Sequence, residues 1–220
     1  MKDVTPESYL FELSDEDIKT LSDGNIITNL YFVKFVQYLI SIGYHFVKTT
    51  HKSAHAFKSM LIYEDFVEQI LNPAIIMSFR RYACKFLLFR KWTEMNLECR
   101  VYVYQKQIKY VEVYRDTKNQ FKPYMFNEII EFVNVKVIPK LTIYDSFSVD
   151  VFCKERDYEF FCNKRTELFD DVWQVVEINS PLWLKCGTYL IKYEWEKDRI
   201  HNTEVPICRY KDANDEIVEM

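Results

Sequence analysis

Three glycines stand among 220 residues, at positions 24, 43 and 187. A P-loop or a dinucleotide-binding fingerprint needs several glycines inside one short window, because backbone must approach phosphate closely there. Both are excluded by this spacing. What remains is a chain that is 49% hydrophobic, 28% charged and 17% aromatic, long enough for one domain or two lobes.

The net charge of -4 and pI of about 5.7 argue weakly against a general nucleic-acid binder. No uninterrupted apolar run reaches the roughly 18 residues of a spanning helix, and Met1-Lys2-Asp3-Val4 has no apolar signal core. The six cysteines (84, 99, 153, 162, 186 and 208) form no Cys-x-x-Cys pair, so reduced thiols in a cytosol are expected. The four histidines stand in no zinc spacing with them. An excess of Lys, Ile, Asn, Phe and Tyr fits an A+T-rich genome, which concerns origin and not function.

Local patterns give an α+β order. Residues 1–24 read as a polar lead with a short helix capped near Ser14. Residues 25–42 have apolar residues at helical spacing, closed by Gly43. A strand over 44–50 ends in Lys48-Thr49-Thr50, and a polar loop over 51–57 follows. A helix is expected over 62–71 and a buried strand over 86–89, running into Arg90-Lys91-Trp92. Residues 98–104 and 108–114 form a hairpin through Gln105-Lys106-Gln107, a turn without glycine. An amphipathic helix covers 126–139 and stops at Pro139. The strand over 146–153 has one acid, Asp150, at its centre. A buried lone carboxylate is costly, so Asp150 should face solvent, a cation or a metal. Arg156 to Asp171 is a charged excursion. Residues from Gly187 onward read as mixed helix and strand, with an acidic, mobile end from Asp212 to Met220.

The segment Trp173-Gln174-Val175-Val176-Glu177-Ile178-Asn179-Ser180-Pro181 begins as a strand. Glu177 and Asn179 are two apart and share a face, which sets two hard oxygen donors side by side at the strand end. Such donors suit Mg²⁺. They equally suit an edge strand facing water. If strands 146–153 and 172–179 pair, Asp150 joins Glu177 and Asn179. Lys48 before a small polar loop suits a phosphate contact or a solvated strand end. Glu98 and Arg100 suit a surface pair of little energetic value.

Taken in order, these stretches resemble the cell division cycle protein 123 family, whose fold is ATP-grasp. Val47-Lys48-Thr49-Thr50-His51-Lys52-Ser53-Ala54 is similar to its lysine strand end and Ser-rich loop. Leu88-Phe89-Arg90-Lys91-Trp92 is similar to its Leu-Arg-Lys-Trp hinge, and Glu98-Cys99-Arg100-Val101-Tyr102-Val103 to its Glu-Phe-Arg-x-Phe-Val. Val149-Asp150-Val151-Phe152 resembles its Phe-Asp-Val-Tyr strand. Val172 to Pro181 resembles its Val-x-Leu-Ile-Asp-Phe-Asn-Pro strand, with Glu177 where that family has Asp and Ser180 interrupting Asn-Pro. Leu190 to Trp195 resembles a final Leu-x-x-x-Trp element. The loop lacks the family's Pro-Lys-Asp core.

The resemblance implies an α+β, ATP-grasp-like protein of two lobes, 1–90 and 91–220, with mainly antiparallel sheets, helices and a nucleotide cleft between the lobes. It implies ATP and Mg²⁺ as ligands. Lys48 and Lys52 would contact phosphates, Arg90, Lys91 and Trp92 would line the adenine slot, Arg100 would reach the phosphates, and Glu98 would hold the ribose or orient Arg100. Asp150, Glu177 and Asn179 would hold the metal. It further implies a cytoplasmic monomer, in a host cytoplasm if the source is viral. No membrane or nucleic-acid partner is expected. The family promotes assembly of translation initiation factor two by binding its gamma subunit. The alternative is a ligase activating a carboxylate as an acyl phosphate to modify a protein, a peptide or an RNA end.

Overall fold

The structure is a computed structural model that describes residues 5–49, 60–82, 84–91, 95–153, 172–179 and 194–220. The chain divides into two compact units, Pro6–Thr93 and Glu94–Met220, the latter joined by Met1–Thr5.

The first unit is a three-stranded antiparallel sheet with helices. Its strands are β1 (Ser8–Glu12), β2 (Phe46–Thr49) and β3 (Phe86–Arg90), in the order β1-β3-β2. The N-terminal lead thus holds a strand that its polar composition concealed. Helix α1 (Asp15–Ser22) follows the capping chemistry of Ser14. The Ser14 hydroxyl accepts from Asp17 N–H at 3.1 Å, and the Asp17 carboxylate accepts from Ser14 N–H at 3.0 Å. Helix α2 spans Leu30–Ser41 rather than 25–42, because Asn29 caps it by accepting from Tyr31 N–H at 2.9 Å. Gly43, at φ +95°, takes the chain out of it. Helix α3 is Tyr63–Ile70. Helix α4, Pro73–Tyr82, has no counterpart in the sequence reading, although Asn72-Pro73 is start chemistry: Asn72 Oδ1 accepts from Ala74 N–H at 3.0 Å, and proline suits the first turn. Phe11, Phe32, Phe35, Phe66 and Phe89 meet at ring separations of 5.0 to 6.1 Å and fill this unit's core.

The second unit is a six-stranded sheet. Its strands are β4 (Leu97–Tyr104), β5 (Gln107–Asp116), β6 (Phe147–Cys153), β7 (Trp173–Asn179), β8 (Ile207–Lys211) and β9 (Ile217–Glu219), in the order β7-β6-β4-β5-β8-β9. Only β5–β8 is parallel among these pairs. The β4–β5 turn puts Gln105 and Lys106 at φ +50° and +63°, the left-handed region that glycine favours. Lys106 offsets this strain by donating through Nζ to the carbonyls of Leu141 and Tyr144, and through its N–H to Asp145 O at 2.8 Å.

One face of the large sheet is apolar. Cys99, Val101, Val103, Val111, Val149, Val151, Trp173 and Val175 pack there against Phe126, Ile129, Phe132 and Val133. These last lie on α5 (Met125–Phe132) and on its continuation, a π turn over Val133–Val137. A short 3-10 turn, Ile138–Lys140, contains Pro139 and ends the run near the expected place. Helix α6 (Glu194–Asn202) sends Ile200 to the opposite face, onto Tyr102, Tyr110 and Ile207.

The C-terminus departs from expectation. Instead of a mobile acidic tail, β9 closes the sheet on β8, with Cys208 and Met220 exchanging backbone hydrogen bonds at 3.1 and 2.9 Å. Glu219 accepts two bonds from Arg199, at 2.6 and 2.8 Å, and one from Arg209 at 2.6 Å. Hydrogen bonding from Arg199 is the main reason its carboxyl is lowered to about 2. Glu219→Ala leaves the buried Arg209 without this acceptor and is expected to cost on the order of 2 kcal/mol in urea unfolding. Truncation after Asp212 should lower the melting temperature further, whereas loss of a mobile tail would leave it unchanged.

Candidate functional site

The polar face of the large sheet carries one continuous row of charge. Pair by pair, the register aligns Glu177 with Asp150, Asp150 with Arg100, Arg100 with Glu112, Glu112 with Arg209, and Arg209 with Glu219. Residues directly opposite on neighbouring strands share a face. The row therefore crosses all six strands as acid, acid, cation, acid, cation, acid. Asp150, Glu112 and Arg209 are 3%, 1% and 7% exposed. Charges so buried persist only if paired.

Alternation alone would not place Glu177 in this row. Trp173 and Val175 point into the core, so strict period two sends Glu177 there too. A β-bulge intervenes. Asp150 lies opposite Glu177 but Val151 lies opposite Val175, so the register shifts between these two pairs. The extra residue shifts the parity of the strand. Glu177 and Asn179, both partly exposed, then share the polar face with Asp150 and Ser148.

Arg100 is the centre of the row. Its Nε donates to Asp150 Oδ1 at 2.6 Å and its Nη2 to Asp150 Oδ2 at 2.7 Å, a bidentate pair. Its Cζ also lies 5.2 Å from the centre of the Tyr114 ring. The hydrogen bonds with Asp150 raise the guanidinium above its ordinary value, so it stays charged. Glu98, 8% exposed, is hydrogen-bonded by Tyr114, and burial raises its carboxyl. Glu112 accepts from Tyr110 Oη at 2.8 Å, and burial pushes its carboxyl up to about 7.

The expected site residues thus fall into two groups. Asp150, Glu177 and Asn179 come together at one end of the polar face, with Arg100 and Glu98 beside them. Arg100, expected to be oriented by Glu98, is held by Asp150. In the first unit, Lys48 and Arg90 share a face of the small sheet, since Lys48 pairs with Leu88 and Phe46 with Arg90. Arg90 Nε donates to Ser8 Oγ at 3.3 Å. Lys91 Nζ is 2.7 Å from Glu7 Oε2, and Tyr44 Oη donates to Glu7 Oε1 at 2.9 Å. Lys52, Trp92, the 156–171 excursion and Ser180-Pro181 lie outside the described residues. Glu112, Arg209 and Glu219 went unread in the sequence. The signal was there for Glu112, a lone acid amid Tyr110, Val111, Val113 and Tyr114, the same pattern that singled out Asp150.

The donor set suits a hard divalent cation. Asp150 and Glu177 face each other across neighbouring strands, and Asn179, opposite Ser148, lies on the same face. Among the described residues, no group of three or more His, Cys, Asp and Glu gathers into a metal cluster. No helix among them is long and apolar enough to cross a membrane.

The fold class is α+β, as the sequence led one to expect, and the chain shares the fold of Cdc123. More particularly, the chain is similar to Cdc123 from Schizosaccharomyces pombe, with a TM-score of 0.66 at 14% identity over 95% of this chain and 90% of that one. A C-terminally truncated form of that protein gives 0.62 at 13% identity, covering 96% and 91%. The RimK domain ATP-grasp protein from Sphaerobacter thermophilus gives 0.41 at 15% identity, covering 89% and 56%. At such identities the likeness establishes the fold alone. No family model matches the sequence. No curated protein matches it either.

Asp150→Ala removes the carboxylate that holds a half-buried guanidinium and should destabilise the protein by roughly 3 kcal/mol in denaturant unfolding. Glu112 gives a pH signature. Its folded carboxyl, near 7, lies above the ordinary 4.5, so the folded state holds the proton more tightly. Its contribution is fullest below about pH 4.5 and is lost as pH rises through 7. Glu112→Gln should flatten the fall in melting temperature across that window.

Proposed function

We propose that this chain is a Mg²⁺- and ATP-binding protein of the Cdc123 kind, acting in assembly of translation initiation factor two through its gamma subunit. The observation that carries the reading is the set of hard oxygens from Asp150, Glu177 and Asn179, aligned beside Arg100 in a fold shared with Cdc123.

In this reading Asp150, Glu177 and Asn179 hold the cation. Bound there, Mg²⁺ would neutralise and polarise phosphate oxygens. Arg100 contacts the phosphates as a planar, permanently charged donor, which suits phosphate better than an ammonium does. Tyr114 positions Arg100 by its ring face and Glu98 by its hydroxyl. In the first unit, Lys48 and Arg90 share a face of the small sheet and keep the roles that the family resemblance implies. Lys52, Lys91 and Trp92 keep the roles that the family resemblance implies. The same resemblance supports a monomer acting in the cytoplasm.

The test separates this role from the ligase alternative. The pure protein is titrated with ATP and Mg²⁺ by calorimetry. Glu177→Gln and Asn179→Ala are expected to weaken Mg²⁺-dependent ATP binding at least tenfold while the melting temperature stays within a few degrees. Unchanged affinity in both would refute the site. ATP binding without turnover, with direct capture of the purified gamma subunit, supports the assembly role. ADP and phosphate release that depends on an added amine acceptor would establish the ligase instead.

A further inference from the structure

The metal seat described above already has an occupant of the right charge. Asp150 is 3% exposed, and both of its oxygens accept from Arg100, at 2.6 and 2.7 Å. Around it the acids are crowded: Glu177 stands opposite on β7, Glu98 two positions earlier on β4, and Glu112 opposite Arg100 on β5. Arg100 is the cation whose two hydrogen bonds hold Asp150 in this acidic, largely buried surrounding. A divalent ion placed on Asp150 while Arg100 still held it would meet a guanidinium across one carboxylate, cation against cation. The two therefore compete for the same carboxylate. Arg100 also has somewhere to go. The Tyr114 ring lies 5.2 Å from its Cζ, and Glu112 stands in register on the side away from Asp150. A turn away from Asp150 does not strand the charge.

We propose that Arg100 is the resident counter-ion of the acidic seat, and that it gives the seat up to a divalent cation only when a polyphosphate draws its guanidinium away. This rests on the Mg²⁺–ATP reading and adds regulation to it. Metal and polyphosphate then bind as one unit. Free Mg²⁺ binds weakly because it must displace Arg100 unaided. Free ATP binds weakly because turning Arg100 away breaks its two bonds to Asp150 with no cation to replace them there. Only the pair satisfies every charge at once. The acidic row stays folded and neutralised between cycles, and the chain does not load with stray cations.

The experiment uses Mn²⁺ as a spectroscopic probe, with free Mn²⁺ followed by electron paramagnetic resonance. The wild-type protein should bind Mn²⁺ alone at least tenfold more weakly than it does with ATP present. Arg100→Gln should bind Mn²⁺ alone at least tenfold more tightly than wild type, yet bind Mn²⁺–ATP less well. Arg100→Lys, which keeps the charge but not the two-pronged grip, should fall between them. A second readout needs no variant. The Arg100 Nε–H resonance in ¹⁵N spectra, held by Asp150, should stay in place with Mg²⁺ alone and shift with Mg²⁺ plus a non-hydrolysable ATP analogue. If wild type binds Mn²⁺ as tightly without nucleotide as with it, or if Mg²⁺ alone moves that resonance, the proposal fails while the nucleotide site stands. If wild type binds no Mg²⁺–ATP at all, the site reading fails and takes this proposal with it.

Discussion

A carboxylate in the middle of a strand must be answered by a cation, and most of the functional face follows from that requirement. Asp150 sits on a strand with β4 on one side and β7 on the other. Its charge is met by Arg100 in a bidentate pair. Arg100 in turn faces Glu112, Glu112 faces Arg209, and Arg209 faces Glu219. Each charge is placed by the one before it, and the row ends at the two sheet edges. A buried pair of this kind is weak evidence for stability, since desolvation offsets much of the attraction. It is better evidence for specificity. A register slip of one residue on any strand would turn its charge into the apolar core.

The opposite face makes this arrangement affordable. Val101, Val111, Val149 and Val175 are fully or almost fully buried against α5, so the sheet is fixed by apolar packing from one side. The polar face can then spend some of that stability on acids of raised pKa, such as Glu112 and Glu98. Functional sites are where such local conflicts are expected to concentrate. The bulge at Val176 belongs to the same economy. It shifts the register by one residue and so delivers Glu177 and Asn179 to the face that holds Asp150.

Local chemistry was legible in the sequence at most places where its cause was local, the Asn72-Pro73 start of α4 being an exception. Ser14 and Asp17 announce a helix start, Gly43 a helix end, and the alternation over 98–104 a strand. Where the cause was a distant partner, the reading fell short. Residues 212–220 look like a solvated acidic tail, because nothing nearby reveals that Arg199 and Arg209 will bind Glu219. Gln105-Lys106 makes a tight turn without glycine only because the carbonyls of Leu141 and Tyr144 wait for the Lys106 ammonium. Glu98 and Arg100, two apart on one strand, invite pairing with each other, yet each is held by a residue from another strand.

Periodicity and capping marked most of the elements, though not β1, α4 or β9, and put hard oxygen donors on two late strands. These depend on periodicity and short-range hydrogen bonding, which a single segment contains in full. Only the tertiary structure decided that Arg100 closes on Asp150, that a bulge turns Glu177 to meet them, and that the C-terminus is the last strand of the sheet. Those outcomes rest on register between strands up to about a hundred residues apart. Register is fixed by packing across the whole sheet, so no stretch of sequence carries it alone.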